Sequence, residues 1–330
     1  MNDLLRLGVE IGGTKLQLAL GPGDGSIVAL ERQVIVPENQ AAAILNQILS
    51  SYGALLHKAG INSTQVDAAG IGFGGPVNSQ QGVVTLSHHV AGWERFPIAS
   101  WFRENLGITR VALENDADVA GLGEARFGAG QGISPLLYLT VGSGIGGGLI
   151  LNGKIYRGAG AGAIELGHLW VTDRFNSDQG VVTLEAAASG WAIASEARRV
   201  AERLLAEGRN QWIVLKLAGG DPAAIETTHI AEAAKGGDRQ SRLLLDKAVH
   251  AMALGLGQAV TILAPRRIIL GGGVSLIGEE LWLGPIRKQL DACVFPPFRG
   301  TFDLVGASLG EEVVLQGALA LAKDLVGRPS

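Results

Sequence analysis

At 330 residues, with 47% apolar and 18% charged content, the chain holds enough material for two domains with substantial cores. Its net charge of −4 gives no support to a nucleic-acid partner, which needs a concentrated basic surface that the sequence does not show, and pairs such as Arg198-Arg199 and Arg266-Arg267 read as solvated faces. A single cysteine, Cys293, excludes an intrachain disulfide and any multi-cysteine zinc site. With no basic segment ahead of a continuous apolar core, and no apolar stretch free of glycine or charge over a bilayer's width, the expected location is the cytoplasm.

The first predicted strand covers residues 4–11 and runs into Gly12-Gly13-Thr14-Lys15, after which 16–20 read as a second strand. The turn at 21–25 then leads to a third strand at 26–30, giving three antiparallel strands in succession. Residues 39–58 carry Ile44, Leu45, Ile48, Leu49, Tyr52, Leu55 and Leu56 on one stripe and predict a helix stopped by Gly60. A strand at 110–113 ends in Glu114-Asn115-Asp116-Ala117-Asp118 before a helical pattern at 119–127. Carboxylates at the carboxyl end of a strand lie where α/β folds place ligands. The competing reading is that Asn115 or Asp116 only caps the helix.

The apolar run 136–141 leads into Gly142-Ser143-Gly144-Ile145-Gly146-Gly147-Gly148, a formal G-x-G-x-x-G at Gly142, Gly144 and Gly147. A dinucleotide fingerprint requires that loop to open a helix. Here it leads to Leu149-Ile150-Leu151, the turn pair Asn152-Gly153, and Lys154-Ile155-Tyr156, which predict strand, type I′ turn and strand. The glycines therefore sit at a hairpin tip, where exposed N–H groups can cradle an anion without a helix dipole. One strand–glycine turn–strand unit in each half suggests a duplicated fold. Two such halves facing each other across a cleft would aim both turns at one nucleoside triphosphate.

After the glycine-rich run 157–162 comes Glu165-Leu166-Gly167-His168. If helical, Glu165 and His168 share a face; the alternative is a buried structural histidine and a helix-start carboxylate. Residues 189–207 and 241–263 carry further helical patterns, the second ending before Pro265.

Taken together these segments resemble the ROK family of sugar kinases. The matching stretches are Ile11-Gly12-Gly13-Thr14-Lys15, Gly72-Phe73-Gly74-Gly75-Pro76-Val77, Gly92-Trp93, Glu114-Asn115-Asp116-Ala117, residues 140–148, Glu165-Leu166-Gly167-His168, Leu184-Glu185, Ala188-Ser189-Gly190 and Leu270-Gly271-Gly272-Gly273-Val274. The resemblance implies an α/β, two-domain actin-like ATPase (ribonuclease H-like) fold of duplicated βββαβαβα units around a central cleft. It implies residues 1–114 plus 316–330 as one domain and 115–315 as the other, with Asp116 at the hinge. It assigns Asp116 as general base. Gly75, Asn115, Glu165, His168 and Glu185 become sugar-binding; Glu10, Gly12, Gly13, Thr14, Lys15, Gly142, Ser143, Gly144 and Gly146 become cofactor-binding, Glu10 toward Mg²⁺ and the others toward the phosphates; and Gly272 and Gly273 become neighbours of the adenosine. ATP and Mg²⁺ are the implied cofactors, with a homodimer as the implied assembly.

Three departures from the family pattern stand out. Position 10 is Glu where most relatives place Asp, which lengthens by one methylene the arm expected to organise Mg²⁺. Between His168 and Glu185 the family's cysteine-rich zinc loop is absent, so a Cys₃His site cannot assemble and His168 is left as a sugar ligand or support. Asp173 and Asp178 in that segment read as parts of a solvated loop, with coordination of a hard cation as the alternative. His89 occupies the place of an asparagine about four residues before Trp93, a substrate-binding position, which leaves the sugar preference open. The chain starts within a few residues of the first phosphate strand, so no helix-turn-helix domain is expected. The leading expectation is ATP-dependent phosphorylation of glucose or a close relative (fructose, mannose or an N-acetylhexosamine) at the 6-hydroxyl. The alternatives are a catalytically weak or inactive sensor of sugar or nucleotide, a nicotinamide dehydrogenase resting only on Gly142, Gly144 and Gly147, and a purely structural protein.

Overall fold

The computed structural model describes residues 4–36, 40–87, 90–159, 162–172 and 180–326. Its contacts form two compact units, one of Met1–Tyr138, Gly148–Ile164 and Ala307–Ser330, the other of Leu139–Gly147 and Glu165–Gly306.

The first unit opens with an antiparallel meander of β1 (Leu5–Ile11), β2 (Lys15–Gly21) and β3 (Ala29–Val34). The third strand begins later than its apolar run predicts. Asp24 Oδ1 accepts from both the Ser26 amide (2.9 Å) and its hydroxyl (2.6 Å), which holds 24–26 in a turn. Helix α1 (Gln40–Ala59) buries Ile44, Ile48, Tyr52 and Leu55 and ends at Gly60, whose φ of +66° suits a left-handed stop. Its stripe is narrower than expected, because Leu49 is 37% exposed.

Strand β4 (Val66–Phe73) joins β1 in parallel, and the short pair β5 (Val77–Asn78) and β6 (Val83–Val84) follows. After α2 (Ile98–Leu106) comes β7 (Arg110–Asn115), parallel to β4, and then α3 (Asp116–Phe127). The sheet order is β3-β2-β1-β4-β7. The central strands are buried over most of their length on both faces, as a sheet covered on both sides demands. The C-terminal helix presses so closely on β4 that a Cβ at Gly70 would lie 2.0 Å from the Ala318 carbonyl oxygen.

A second five-stranded sheet comprises β8 (Leu136–Val141), β9 (Ile145–Leu151), β10 (Lys154–Ile155), β13 (Arg267–Gly271) and β14 (Asp303–Gly306), in the order β10-β9-β8-β13-β14. The order repeats that of the first sheet, with the hairpin strands on one side and a parallel pair on the other. That repetition is the duplication the two glycine turns predict. Asn152 (φ +52°) and Gly153 (φ +72°) both adopt positive φ, as the type I′ turn between β9 and β10 requires.

The remaining elements are the hairpin β11 (Trp170–Thr172) with β12 (Val181–Thr183), helices α4 (Leu184–Ala188), α5 (Gly190–Ala206), α6 (Ile213–Leu217), α7 (Thr227–Lys235), α8 (Arg239–Leu263) and α9 (Gly284–Cys293), and the C-terminal α10 (Val313–Val326). Among the described residues α8 alone has the length and apolarity to cross a membrane, yet 67% of its apolar window is buried inside the protein.

The contact division differs from the one expected at residue 114. Helix α3 stays with the first unit because it lies against α10, where a Cβ at Gly317 would fall 1.9 Å from the Val119 carbonyl oxygen. The C-terminal segment also joins earlier than 316. Glu124, fully buried, accepts from the amides of Ser308 (2.8 Å) and Leu309 (2.9 Å) and anchors that segment from Ala307 onward.

Candidate active site

In the first unit the candidate residues converge on the carboxyl ends of the parallel strands. Glu10, Gly72 and Glu114 are in register across β1, β4 and β7, and one step further Ile11, Phe73 and Asn115 are in register. The Gly12 amide donates to the Lys15 carbonyl at 2.9 Å, closing the first glycine turn, with Gly12 and Gly13 half-buried and Thr14 exposed. The Gly74 amide in turn donates to the Ile11 carbonyl at 2.8 Å. A Cβ at Gly74 would stand 3.3 Å from Asp116 Oδ2, from the Gly12 Cα and from the Ile11 carbonyl oxygen. Glycine at 74 thus lets the turn and the Asp116 carboxylate approach one another. Sequence reasoning singled out Gly75 instead, whose carbonyl is engaged by Asn115.

Asn115 caps α3. Its Oδ1 accepts from the Ala117 amide (2.9 Å), while its Nδ2 donates to the carbonyls of Gly75 (3.2 Å) and Phe73 (3.4 Å). The capping reading and the site reading of this segment therefore coexist: Asn115 makes the cap, and Asp116 is the first residue of the helix. Asp116 retains some solvent contact but is densely surrounded by protein. Burial, and after it the nearby Glu10 charge, pushes its pKa up to about 7 against the opposing effects of the Ala117 amide and Lys15. Glu10 is itself 7% exposed, and burial raises its pKa despite the opposing effects of Lys15 and Gln17. Its two oxygens are held by Lys15 Nζ (3.0 Å) and Gln17 Nε2 (2.7 Å).

In the second unit the hairpin turn between β8 and β9 is closed by the Gly142 amide donating to the Gly144 carbonyl at 2.9 Å. Gly142 lies in the turn and Gly146 within β9; Ser143, exposed, accepts through its carbonyl from the Trp191 amide at 3.3 Å. The glycine turn leads directly into the strand β9 and does not open a helix of its own, which removes the dinucleotide reading. Glu185, on α4, accepts from the Ile145 amide at 2.7 Å, and a Cβ at Gly144 would fall 2.5 Å from Glu185 Oε2. Glu165 caps and His168 ends a single 3₁₀ turn at Leu166–His168 in place of an α-helix, and positions three apart eclipse in such a turn. Both are exposed. A Cβ at Gly167 would lie 2.5 Å from the Ile145 carbonyl oxygen and 3.5 Å from Glu185 Cβ, so this turn, Glu185 and the glycine hairpin form one cluster.

Beside that hairpin lies a cavity of about 710 Å³ lined by Gly142, Ser143, Trp191, Thr227, Gly273 and Leu276 among others. Gly273 faces this space, whereas Gly272 serves the turn behind it: its φ is +81°, and a Cβ there would be 2.5 Å from the Val141 carbonyl oxygen. Trp191 and Leu276, 62% and 82% exposed, are apolar groups that sequence reasoning did not single out. Their signal was a weak one, a tryptophan directly after the Ser189 cap of α5 and an apolar residue in a glycine-opened turn. Gln17 was also missed. A lone amide in the apolar strand Leu16-Gln17-Leu18-Ala19-Leu20 was the sign available. His89, Asp173 and Asp178 lie outside the described residues.

The ROK family model matches residues 6–325. The chain belongs to the ROK family. A glucokinase of Thermotoga maritima is 32% identical to this ROK protein over 334 aligned positions, covering 99% of this chain and 100% of that protein. A solved ROK family glucokinase from Streptomyces griseus, in complex with glucose and AMPPNP, superposes with a TM-score of 0.79 at 33% identity, covering 97% of this chain and 99% of its own. A ROK hexokinase from Thermus thermophilus gives a TM-score of 0.75 at 28% identity, with 98% and 99% covered. The fold of this ROK protein is the actin-like ATPase fold expected from its sequence.

Proposed function

We propose that this ROK sugar kinase transfers the γ-phosphoryl group of ATP to the 6-hydroxyl of glucose or a closely related hexose, with Asp116 as general base. The observation that carries the reading is Asp116 itself. A carboxylate at the end of β7, beside the first glycine turn and with its pKa pushed up to about 7, is matched to taking a proton near neutral pH.

In this reading the sugar 6-oxygen attacks the γ-phosphorus as the bond to the ADP oxygen breaks. Asp116 accepts the hydroxyl proton and later releases it to water. Gly12, Gly13, Thr14 and Lys15, with Gly142, Ser143, Gly144 and Gly146, hold the phosphates, and the cavity beside Trp191 takes the adenosine. Glu165, His168 and the second oxygen of Glu185 orient sugar hydroxyls, as does His89. Asn115 is committed to its cap and to two carbonyls, so its main part is to fix Asp116.

The residues present fit Mg²⁺, which is bound through one or two carboxylates together with substrate phosphates. Burial leaves Glu10 and Asp116 as mutually opposed carboxylates whose repulsion a hard cation relieves. Glu10 is the residue that would hold it, and when bound the ion supplies charge neutralisation on the transferring phosphoryl group. A homodimer located in the cytoplasm belongs to this reading, and light scattering of the purified protein tests the dimer.

ADP release measured with Mg·ATP across a panel of hexoses and amino sugars tests the activity. Turnover dependent on one or a few hexoses supports it. Calorimetric sugar binding with no phosphorylated product would instead support the competing reading, a sensor that has lost turnover.

A further inference from the structure

A polar relay crosses the first sheet at the level of Glu10. Glu10 of β1 is paired with Gln17 of β2, and Gln17 with Arg32 of β3, so the three side chains share one face. Gln17 is fully buried. Its Oε1 accepts from Arg32 Nε at 2.7 Å, and its Nε2 donates to Glu10 Oε2 at 2.7 Å. A guanidinium can only donate, so Arg32 fixes which end of the amide faces it, and the NH₂ end is turned toward Glu10. Arg32 is in turn held by Glu312 at 3.1 Å, and Gln17 Nε2 also reaches the Glu311 carbonyl at 3.4 Å. Lys15 Nζ, at 3.0 Å, holds the other oxygen of Glu10.

We infer that Gln17 is a positioning residue whose amide, oriented by Arg32, sets the Glu10 carboxylate at the catalytic end of the sheet. The longer arm of glutamate at position 10 makes this necessary. One more rotatable bond gives the carboxylate more places to go, and two directed donors select one of them. The charged donor from Arg32 also polarises the amide and strengthens its second hydrogen bond. Substitution of Gln17 by leucine keeps the volume and removes both links.

The inference rests on the reading of Glu10 as a group serving the metal–nucleotide, and the experiment keeps the two separate. Mn²⁺ is titrated into the protein with a non-hydrolysable ATP analogue and followed by electron paramagnetic resonance, alongside steady-state kinetics. Gln17→Leu is expected to weaken Mn²⁺ binding and lower kcat by about 10- to 100-fold, the usual reach of groups that orient a ligand, with the sugar KM unchanged. Arg32→Met, at the half-exposed end of the relay, should move both in the same direction by less, and reads the relay if Gln17→Leu fails to fold. In a Glu10→Gln background, Gln17→Leu should add nothing further. Unchanged Mn²⁺ affinity and kcat in both single variants, or losses that simply add in the double variant, would overturn the inference. A wild-type protein without sugar-dependent ADP release would contradict the kinase reading while the Mn²⁺ titration still tests the relay.

Discussion

Asp116 and Glu10 lie in one electrostatic neighbourhood: after burial, the charge on Glu10 is the main reason that Asp116 ionises only near pH 7. A general base must be deprotonated before it can act. The value of kcat/KM for Mg·ATP, which reports the enzyme before the metal–nucleotide arrives, is therefore expected to rise with pH through about 7 and level off above it, with a single ionisation on the acid side. A profile flat from pH 5 to 8 would remove Asp116 from the base role.

The same shift has a consequence for stability. Asp116 binds its proton more tightly in the folded than in the unfolded chain, so its ionisation costs the folded state increasingly as pH rises from 3.8 to about 7, and fully above that. In metal-free protein, Asp116→Asn should raise Tm more at pH 8 than at pH 5, by roughly 2–4 °C for each kcal/mol relieved. Thermal melts at the two pH values check the sign; an equal change at both contradicts it.

Gly272 has φ +81° and no room for a Cβ against the Val141 backbone. Gly272→Ala is expected to destabilise the protein by about 1–3 kcal/mol, the cost of a strained backbone position, and to impair nucleotide binding through the turn that Gly273 opens. Urea denaturation reads the first effect and calorimetry with AMPPNP the second.

Trp191 flanks the 710 Å³ cavity beside the second glycine turn. If an adenine base stacks there, Trp191→Ala should raise the KM for ATP by about tenfold, the equivalent of one aromatic contact, and leave the sugar KM nearly unchanged. Wild-type tryptophan fluorescence should be quenched on titration with ATP, and the variant should lose part of that signal.

The sequence made the hairpins, α1 and the type I′ turn at Asn152-Gly153 legible because each is specified locally, by strand alternation, a helical stripe or a residue pair that tolerates positive φ. It pointed to Asp116 because a carboxylate at a strand's end is a local pattern too. It could not reveal that Asn115 spends its hydrogen bonds on Ala117, Gly75 and Phe73, since two of these partners come from a different strand and the loop after it. The relay through Gln17 was hidden for the same reason: an amide in an apolar strand announces a buried polar group, but only strand register supplies Arg32 and Glu10 as its partners. The contact units divide elsewhere than at 114 because the packing of α3 on α10 and the anchoring of Ser308 by Glu124 are contacts between distant segments.

The most direct test of the central claim is the rate of sugar-dependent ADP release by Asp116→Asn compared with the wild type, at saturating Mg·ATP and sugar near pH 8. The account predicts a fall in kcat of about 10²- to 10⁴-fold, the range for loss of a general base, with sugar binding by calorimetry retained. Turnover undiminished in a correctly folded Asp116→Asn protein would contradict it.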